Sequence, residues 1–330
     1  MLFLFAFLLL DFKPAAPDAP LRQPQLAAHD RFVALAYGAG KEIRVAVSTD
    51  GGSTFAAPAK VAEVKDLMLG RHRGPRVALA GDSIVVTAVG AGGDLRVWRS
   101  TRDGKTWTAG PAINDVPGAA REGLDALASD GRGRLFAAWL DLRKQGTRIY
   151  GALSNDAGAT WSPNTLVYES PGGTVCECCH PSVSIGEDGT IRVMWRNSLN
   201  GARDLYLAHS RDGVRFSPAA KLGEGTWPLN ACPMDGGGLA ASQGRVFTAW
   251  RRESAIYTNE PGRPERRIGT GKDVALAAAK GRAVAVWSSG PALSMWREGG
   301  AARTLAPHGA YPALVALGDG TILAAWEQDG

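Results

Sequence analysis

Ser48-Thr49-Asp50-Gly51-Gly52-Ser53-Thr54-Phe55 is the stretch whose reading decides the fold. A serine, an aspartate two residues on, glycines, then threonine and an aromatic describe a tight hairpin turn. The aspartate accepts backbone N–H bonds inside the turn, glycine supplies a positive φ, and the closing aromatic packs beneath the hairpin. The pattern returns as Ser100 to Trp107 (STRDGKTW), Ser154 to Trp161 (SNDAGATW) and Ser210 to Phe216 (SRDGVRF). The first and third copies fit fully, the second has its aspartate displaced by one, and the fourth is one residue short. The aspartates at 50, 103, 156 and 212 stand 53, 53 and 56 residues apart. A repeat of that period is one four-stranded propeller blade per copy.

Working outward, each turn follows an apolar strand: Arg44 to Val47, Leu95 to Trp98, Ile149 to Leu153 and Leu205 to Ala208. Before that lies a strand ending in an aromatic, at Tyr37, Trp139, Trp195, Trp250, Trp287 and Trp326. Earlier still comes a short strand beginning near Pro24, Pro75, Leu124, Pro181, Pro233, Asp273 or Pro312. Alternation and even spacing give an all-β chain, a β-propeller of four-stranded blades. Six complete blades and a partial seventh are counted, because the last unit reaches only two strands by Gly330. With the N-terminal segment closing the ring, the expectation favours seven blades over six.

Forty-two glycines among 330 residues suit so many turns. The net charge of +5 comes from arginines spread along the chain, with one cluster at Arg263, Arg266 and Arg267. No basic helix or aromatic-basic stripe accompanies them, which excludes nucleic acid as the expected partner. The opening MLFLFAFLLL is too short to span a bilayer and reads as the core of a secretory signal, with small residues at 16 to 19. Pro14, Pro17, Pro20 and Pro24 then form a spacer. The domain reading is a signal-like segment and spacer over 1–23 and a propeller over 24–330, exported to the periplasm or secreted.

The repeated turn resembles the Asp-box of the sialidase superfamily, Ser-x-Asp-x-Gly-x-Thr-Trp, and the likeness covers nearly the whole chain. The resemblance implies a glycoside hydrolase site in which three arginines hold a sugar carboxylate and a tyrosine attacks. Arg22-Gln23-Pro24 is similar to the family's Arg-Ile-Pro motif opening the first blade. Arg196 and Arg251, each after a second-strand tryptophan, would complete the arginine set, and Tyr311 lies where the family places its nucleophile. The family's acid-bearing loop corresponds to Gly38–Glu42, which contains no aspartate; Glu42 is the substitute or the start of the next strand.

All four cysteines gather in Cys176-Glu177-Cys178-Cys179-His180-Pro181 and in Asn230-Ala231-Cys232-Pro233-Met234-Asp235. Both segments precede the innermost strands of adjacent blades, so the repeat brings them together at one end of the channel. Three readings stay open: disulfides, a redox-active thiol pair, or a soft-metal site. For the metal, Cys176, Cys178, Cys179, His180, Cys232 and Met234 offer sulfur and imidazole ligands to copper or zinc. Arg71, His72, Arg73, Arg121, Glu122, Asp125, Lys272, Asp273 and His308 occupy equivalent blade entries. The leading expectation is thus an exported sialidase-like propeller with a small-molecule, glycan or metal ligand at the channel mouth. A sialidase-type hydrolase and a protein-binding propeller with structural disulfides are the alternatives.

Overall fold

The computed structural model describes residues 19–328. The signal-like run therefore lies outside the described residues. Among the described residues there is no helix, and none long and apolar enough to cross a membrane.

The first blade comprises β1 (Leu21–His29), β2 (Phe32–Ala39), β3 (Glu42–Ser48) and β4 (Ala59–Glu63). The second holds β5 (Arg76–Ala80), β6 (Ser83–Val89), β7 (Leu95–Thr101) and β8 (Thr108–Ala109). The third holds β9 (Asp125–Ser129), β10 (Leu135–Asp141), β11 (Arg148–Ser154) and β12 (Thr165–Tyr168). The fourth holds β13 (Ser182–Ile185), β14 (Ile191–Arg196), β15 (Leu205–Ser210) and β16 (Ala220–Lys221). The fifth holds β17 (Gly237–Ser242), β18 (Arg245–Arg252), β19 (Ala255–Asn259) and β20 (Arg266–Thr270). The sixth holds β21 (Lys272–Ala279), β22 (Arg282–Ser289), β23 (Ala292–Arg297) and β24 (Arg303–Ala306). Every blade is an antiparallel meander in sequence order.

The last strands, β25 (Ala310–Ala316) and β26 (Ile322–Glu327), pair only with each other. The expectation of seven blades is corrected on this point. Six sheets reach four strands, and the seventh stays a two-stranded sheet among the described residues. The innermost strands nonetheless close a ring, β1 against β5, then β9, β13, β17, β21 and β25, with β25 packed on β1.

The core lies between neighbouring blades. In β10, Leu135, Ala137 and Trp139 pack with Ala78, Val85 and Val97 of blade two. The intervening Phe136, Ala138 and Leu140 pack with Ile191, Val193 and Trp195 of blade four. That two-residue alternation is why both faces of each sheet are apolar. Trp139, Trp195 and Trp287 are among the largest fully buried side chains.

The repeated turns form at the expected places. Ser48 Oγ donates to Asp50 Oδ1 (2.8 Å) and accepts from the Gly52 N–H (2.9 Å). Asp50 then accepts from the Thr54 N–H (2.9 Å) and the Thr54 hydroxyl (2.7 Å). Ser154, Asp156, Gly158 and Thr160 repeat these bonds in blade three. Since each turn links the third and fourth strands, antiparallel order puts all of them at the end opposite the blade entries.

Candidate functional site

The entries to the innermost strands converge on one mouth of the ring. In three of them the strand register slips at the same place: between Arg22 and Gln25, Lys272 and Ala275, and Ala310 and Ala313. Inside each bulge one side-chain-bearing residue takes a left-handed conformation: Gln23 (φ 55°), Asp273 (φ 56°) and Tyr311 (φ 50°). Arg71 (φ 53°), His72 (φ 67°) and Met234 (φ 53°) do so at two further entries. Such backbone costs about 1–3 kcal/mol per residue and persists only where surrounding contacts hold it. Bulges re-aim side chains, and here they direct a ring of polar groups into the mouth.

The bulges are held by carboxylates from a neighbouring unit. Glu327, its side chain 4% exposed, accepts from the Gln23 N–H (2.7 Å), Gln23 Nε2 (3.0 Å) and Arg22 Nη1 (2.8 Å). Asp235 Oδ2 likewise accepts from the Asp273 N–H (3.1 Å). Burial, reinforced by the Asp273 carboxylate, raises the Asp235 carboxyl above its ordinary range.

At the centre His72 Nε2 meets Asp273 Oδ1 at 2.8 Å. A carboxylate only accepts, so Nε2 carries the proton. The His180 ring stacks on His72 with centroids 4.5 Å apart, and Tyr311 meets His72 edge-on at 5.2 Å. His180 Nδ1 lies 3.2 Å from the Pro181 carbonyl, which fixes the proton on Nδ1 and leaves Nε2 an acceptor. Burial first, then the charges of His72 and Arg76, hold its pKa well below the usual histidine range, so this ring is neutral. Gly236 is required beside it, because a Cβ there would stand 2.6 Å from His180 Nε2 and 2.4 Å from its carbonyl. Burial first, then the charges of Asp273 and Glu327, raise the Tyr311 hydroxyl above its ordinary range, which favours the protonated phenol.

Arg196, 1% exposed, lies within hydrogen-bond distance of four carbonyls: Asp235 (2.8 Å), Arg203 (2.6 Å), Gly236 (3.3 Å) and Arg251 (3.0 Å). Arg251 reaches the Glu253 carbonyl and lies 3.8 Å from Asp235 Oδ2. Both guanidinium groups face the Trp227 ring, at 5.2 and 5.3 Å. Arg22 is paired with Glu327, so the fork of three arginines is engaged by protein partners. Glu42 is the first residue of β3 and pairs with Arg44 at its own blade. Of the other entry residues, Arg73 bonds the Glu122 carbonyl (2.6 Å), Arg121 reaches Gly118, and Lys272 stands 3.7 Å from Asp273. Asp125 is buried in blade three, and His308 is exposed.

The cysteines form a second group on the same mouth. Cys178 and Cys232 are joined as a disulfide across 54 residues, with Cα atoms 6.2 Å apart. Cys176 and Cys179 are buried thiols with sulfurs 3.3 Å apart. The Cys176 sulfur is 3.8 Å, and that of Cys179 3.9 Å, from Cys178. The hydrogen bond from Cys179, helped by the charges of Arg196 and Arg203, lowers Cys176 to about 7, while burial raises Cys179. Met234 packs on the group and receives Arg71 Nη1 on its sulfur at 3.7 Å. Cys176, Cys178 and Cys232 bring their sulfurs within 4.8 Å of one another, close enough to hold a metal ion.

Sequence reading missed Glu327, Asp235 and Trp227 as partners at the mouth. Glu327 had a usable signal: it follows Trp326 as Arg196 follows Trp195 and Arg251 follows Trp250. A hollow of about 310 Å³ among Leu153, Asn155, Asp156, Thr160, Trp161 and Ser162 lies at the opposite, turn-bearing end and gathers no comparable cluster.

No family model and no curated protein matches the chain. Solved structures do. The chain is similar to an α-L-arabinanase of Penicillium chrysogenum complexed with arabinobiose, at 14% identity and TM-score 0.52, over 94% of this chain and 96% of that one. It is similar to the fucose-recognising, six-bladed lectin of Aleuria aurantia, at 14% identity and TM-score 0.55, over 88% and 97%. The GH93 α-L-arabinofuranosidase of Fusarium graminearum, complexed with arabinobiose, aligns at 11% identity and TM-score 0.53, over 82% and 89%. These likenesses share the propeller fold. The sialidase resemblance, with the function and Asp-box membership drawn from it, is therefore corrected: the neighbours are arabinan-acting and fucose-recognising propellers. The physical reason is that the Ser-x-Asp turn is a local hairpin device, which reports a blade and not a superfamily.

Proposed function

We propose that this propeller binds carbohydrate at its channel mouth. The observation that carries the proposal is the ring cluster Tyr311–His72–His180, set beside the Asp273 carboxylate and the exposed Arg71. Rings offer a flat apolar face to sugar C–H groups, and a few fixed polar groups select hydroxyls. The neighbouring propellers bind arabinobiose and recognise fucose, which supports a sugar as the ligand class. Tyr311 serves here as platform and hydrogen-bond donor, and Arg22, Arg196 and Arg251 brace the mouth. Export belongs to the same proposal, supported by the Cys178–Cys232 bond, since disulfides persist in oxidising compartments.

The test is calorimetric titration of the full chain with fucosides and arabino-oligosaccharides. Saturable binding is expected, weakened at least tenfold, or about 1.4 kcal/mol, by Tyr311→Ala with the fold intact. No binding to any member of the panel, or equal binding by the variant, rejects the reading.

A second reading attaches to the sulfur group. Three sulfurs within 4.8 Å favour a thiophilic metal, copper or zinc, as a cofactor, with Cys179 and Met234 packed on them as further donors, whereas His180 is engaged with His72 and the Pro181 carbonyl. Stoichiometric metal in the purified protein would carry it, and its absence after reconstitution would remove it.

A further inference from the structure

Cys178 and Cys232 are partners in a disulfide and also two of the three sulfurs that could share an ion. A sulfur in a disulfide has no thiolate charge to give a metal, so the two states exclude each other. One pair of the three sulfurs already stands at the spacing a bound ion would set. Thiolates about 2.3 Å from one zinc ion at tetrahedral angles stand roughly 3.8 Å apart. Cys176 and Cys178 are 3.8 Å apart, and the Cys232 sulfur lies within 4.8 Å of Cys176. Cys178 and Cys232 must part to admit the ion. Cys232 is exposed while Cys176, Cys178 and Cys179 are buried, so an external reductant has one sulfur it can attack.

We propose that the Cys178–Cys232 disulfide is a redox gate on a thiolate metal site: reducing it frees Cys178 and Cys232 to join Cys176 around one closed-shell thiophilic ion, copper(I) or zinc(II). This rests on the soft-metal reading of the same group. In the opening step a thiolate of an external dithiol attacks the Cys232 sulfur and Cys178 leaves as thiolate. The second thiol of the reductant then attacks its own bound sulfur, releasing Cys232. The reductant ends as a disulfide, having supplied two electrons and two protons. The ion then displaces protons from the thiols without changing its oxidation state.

The full chain, once as purified and once reduced with dithiothreitol and desalted without oxygen, is titrated with zinc chloride and separately with copper(I). A chromophoric chelator competes in each titration. The reduced chain is expected to take one equivalent of at least one ion, at least tenfold more tightly than the disulfide form. In the unsubstituted protein the ion should also shield Cys176, Cys178 and Cys232 from iodoacetamide, read by peptide mass mapping. Cys176→Ser should lose the binding while circular dichroism shows the propeller retained; if it unfolds, the shielding map decides alone. Equal binding by both forms overturns the gate and leaves the metal reading standing. Binding by neither form removes the metal reading and the gate with it. Shielding that omits Cys232 also overturns the gate.

Discussion

At the scale of the residue, the turn aspartates show how closely a few bonds can be read from sequence. In the first and third copies the aspartate accepts a backbone N–H inside the turn as the motif implies, whereas the bonds of the serine Oγ and of the threonine hydroxyl were not legible in it. The displaced second copy keeps the device by substitution: Thr101 Oγ1 donates to Asp103 Oδ1 at 2.9 Å, taking the serine's part. Desolvation is the largest single influence on Asp156 and raises its carboxyl, but the bonds from the Thr160 hydroxyl and N–H, from Ser154 and from the Ala159 N–H together outweigh it and hold the group at about 2, from an ordinary 3.8. A carboxyl depressed in the folded state adds stability that is present above pH 4 and lost as pH falls through about 2. Asp156 is exposed, so solvent screening limits the contribution to about 0.5–1 kcal/mol. Asp156→Asn should lower stability by that amount at pH 7, with the difference from the parent shrinking towards pH 2. Urea unfolding at the two pH values measures it; a constant difference would mean the charge is not what the turn uses.

At the scale of the element, strand positions were legible because alternation and the second-strand aromatics repeat. At the mouth, the repeat made the two cysteine segments legible as neighbours, while the other entry residues were legible only singly. Which of them would touch depended on bulges at Gln23, Asp273 and Tyr311, and a bulge leaves no signature when the left-handed residue is not glycine. The glycine run at Gly236–Gly238 has a readable cause only in packing. A Cβ on Gly238 in β17 would stand 2.4 Å from Leu276 Cβ and 2.8 Å from the Leu276 backbone nitrogen in β21. Side-chain movement cannot relieve a contact with backbone, so the two innermost strands would have to separate. Gly238→Ala should cost about 1–3 kcal/mol, the range for overpacking a tight core. Gly300→Ala, whose nearest contact is 3.4 Å in an exposed turn, should stay within about 0.5 kcal/mol. Thermal unfolding of the pair tests the argument, and similar effects at both positions would refute it.

At the scale of the whole molecule, the question is how a ring with a two-stranded last sheet stays closed. The repeat count supplied six blades and an incomplete unit, but favouring seven required the N-terminal segment to complete that unit. Instead β1 is the innermost strand of blade one, and among the described residues nothing adds a third strand to β25–β26. Closure therefore rests on packing of β25 against β1 and on Glu327. Three bonds from Arg22 and Gln23, more than 300 residues away in sequence, end on this one buried carboxylate. Hydrogen bonds to a charged group contribute about 1.5–3 kcal/mol each when a partner is removed, and they are not additive. Glu327→Ala leaves the Gln23 N–H and the Arg22 guanidinium without this acceptor, and should cost about 3 kcal/mol in denaturant unfolding. Because the loss falls at the seam, limited proteolysis should cut within Ala310–Glu327 before any blade is cleaved. Glu327→Gln keeps one carbonyl acceptor for the Gln23 N–H and should recover part of the stability. If Glu327→Ala unfolds like the parent and resists cleavage at the seam, the ring is closed by β1–β25 packing alone.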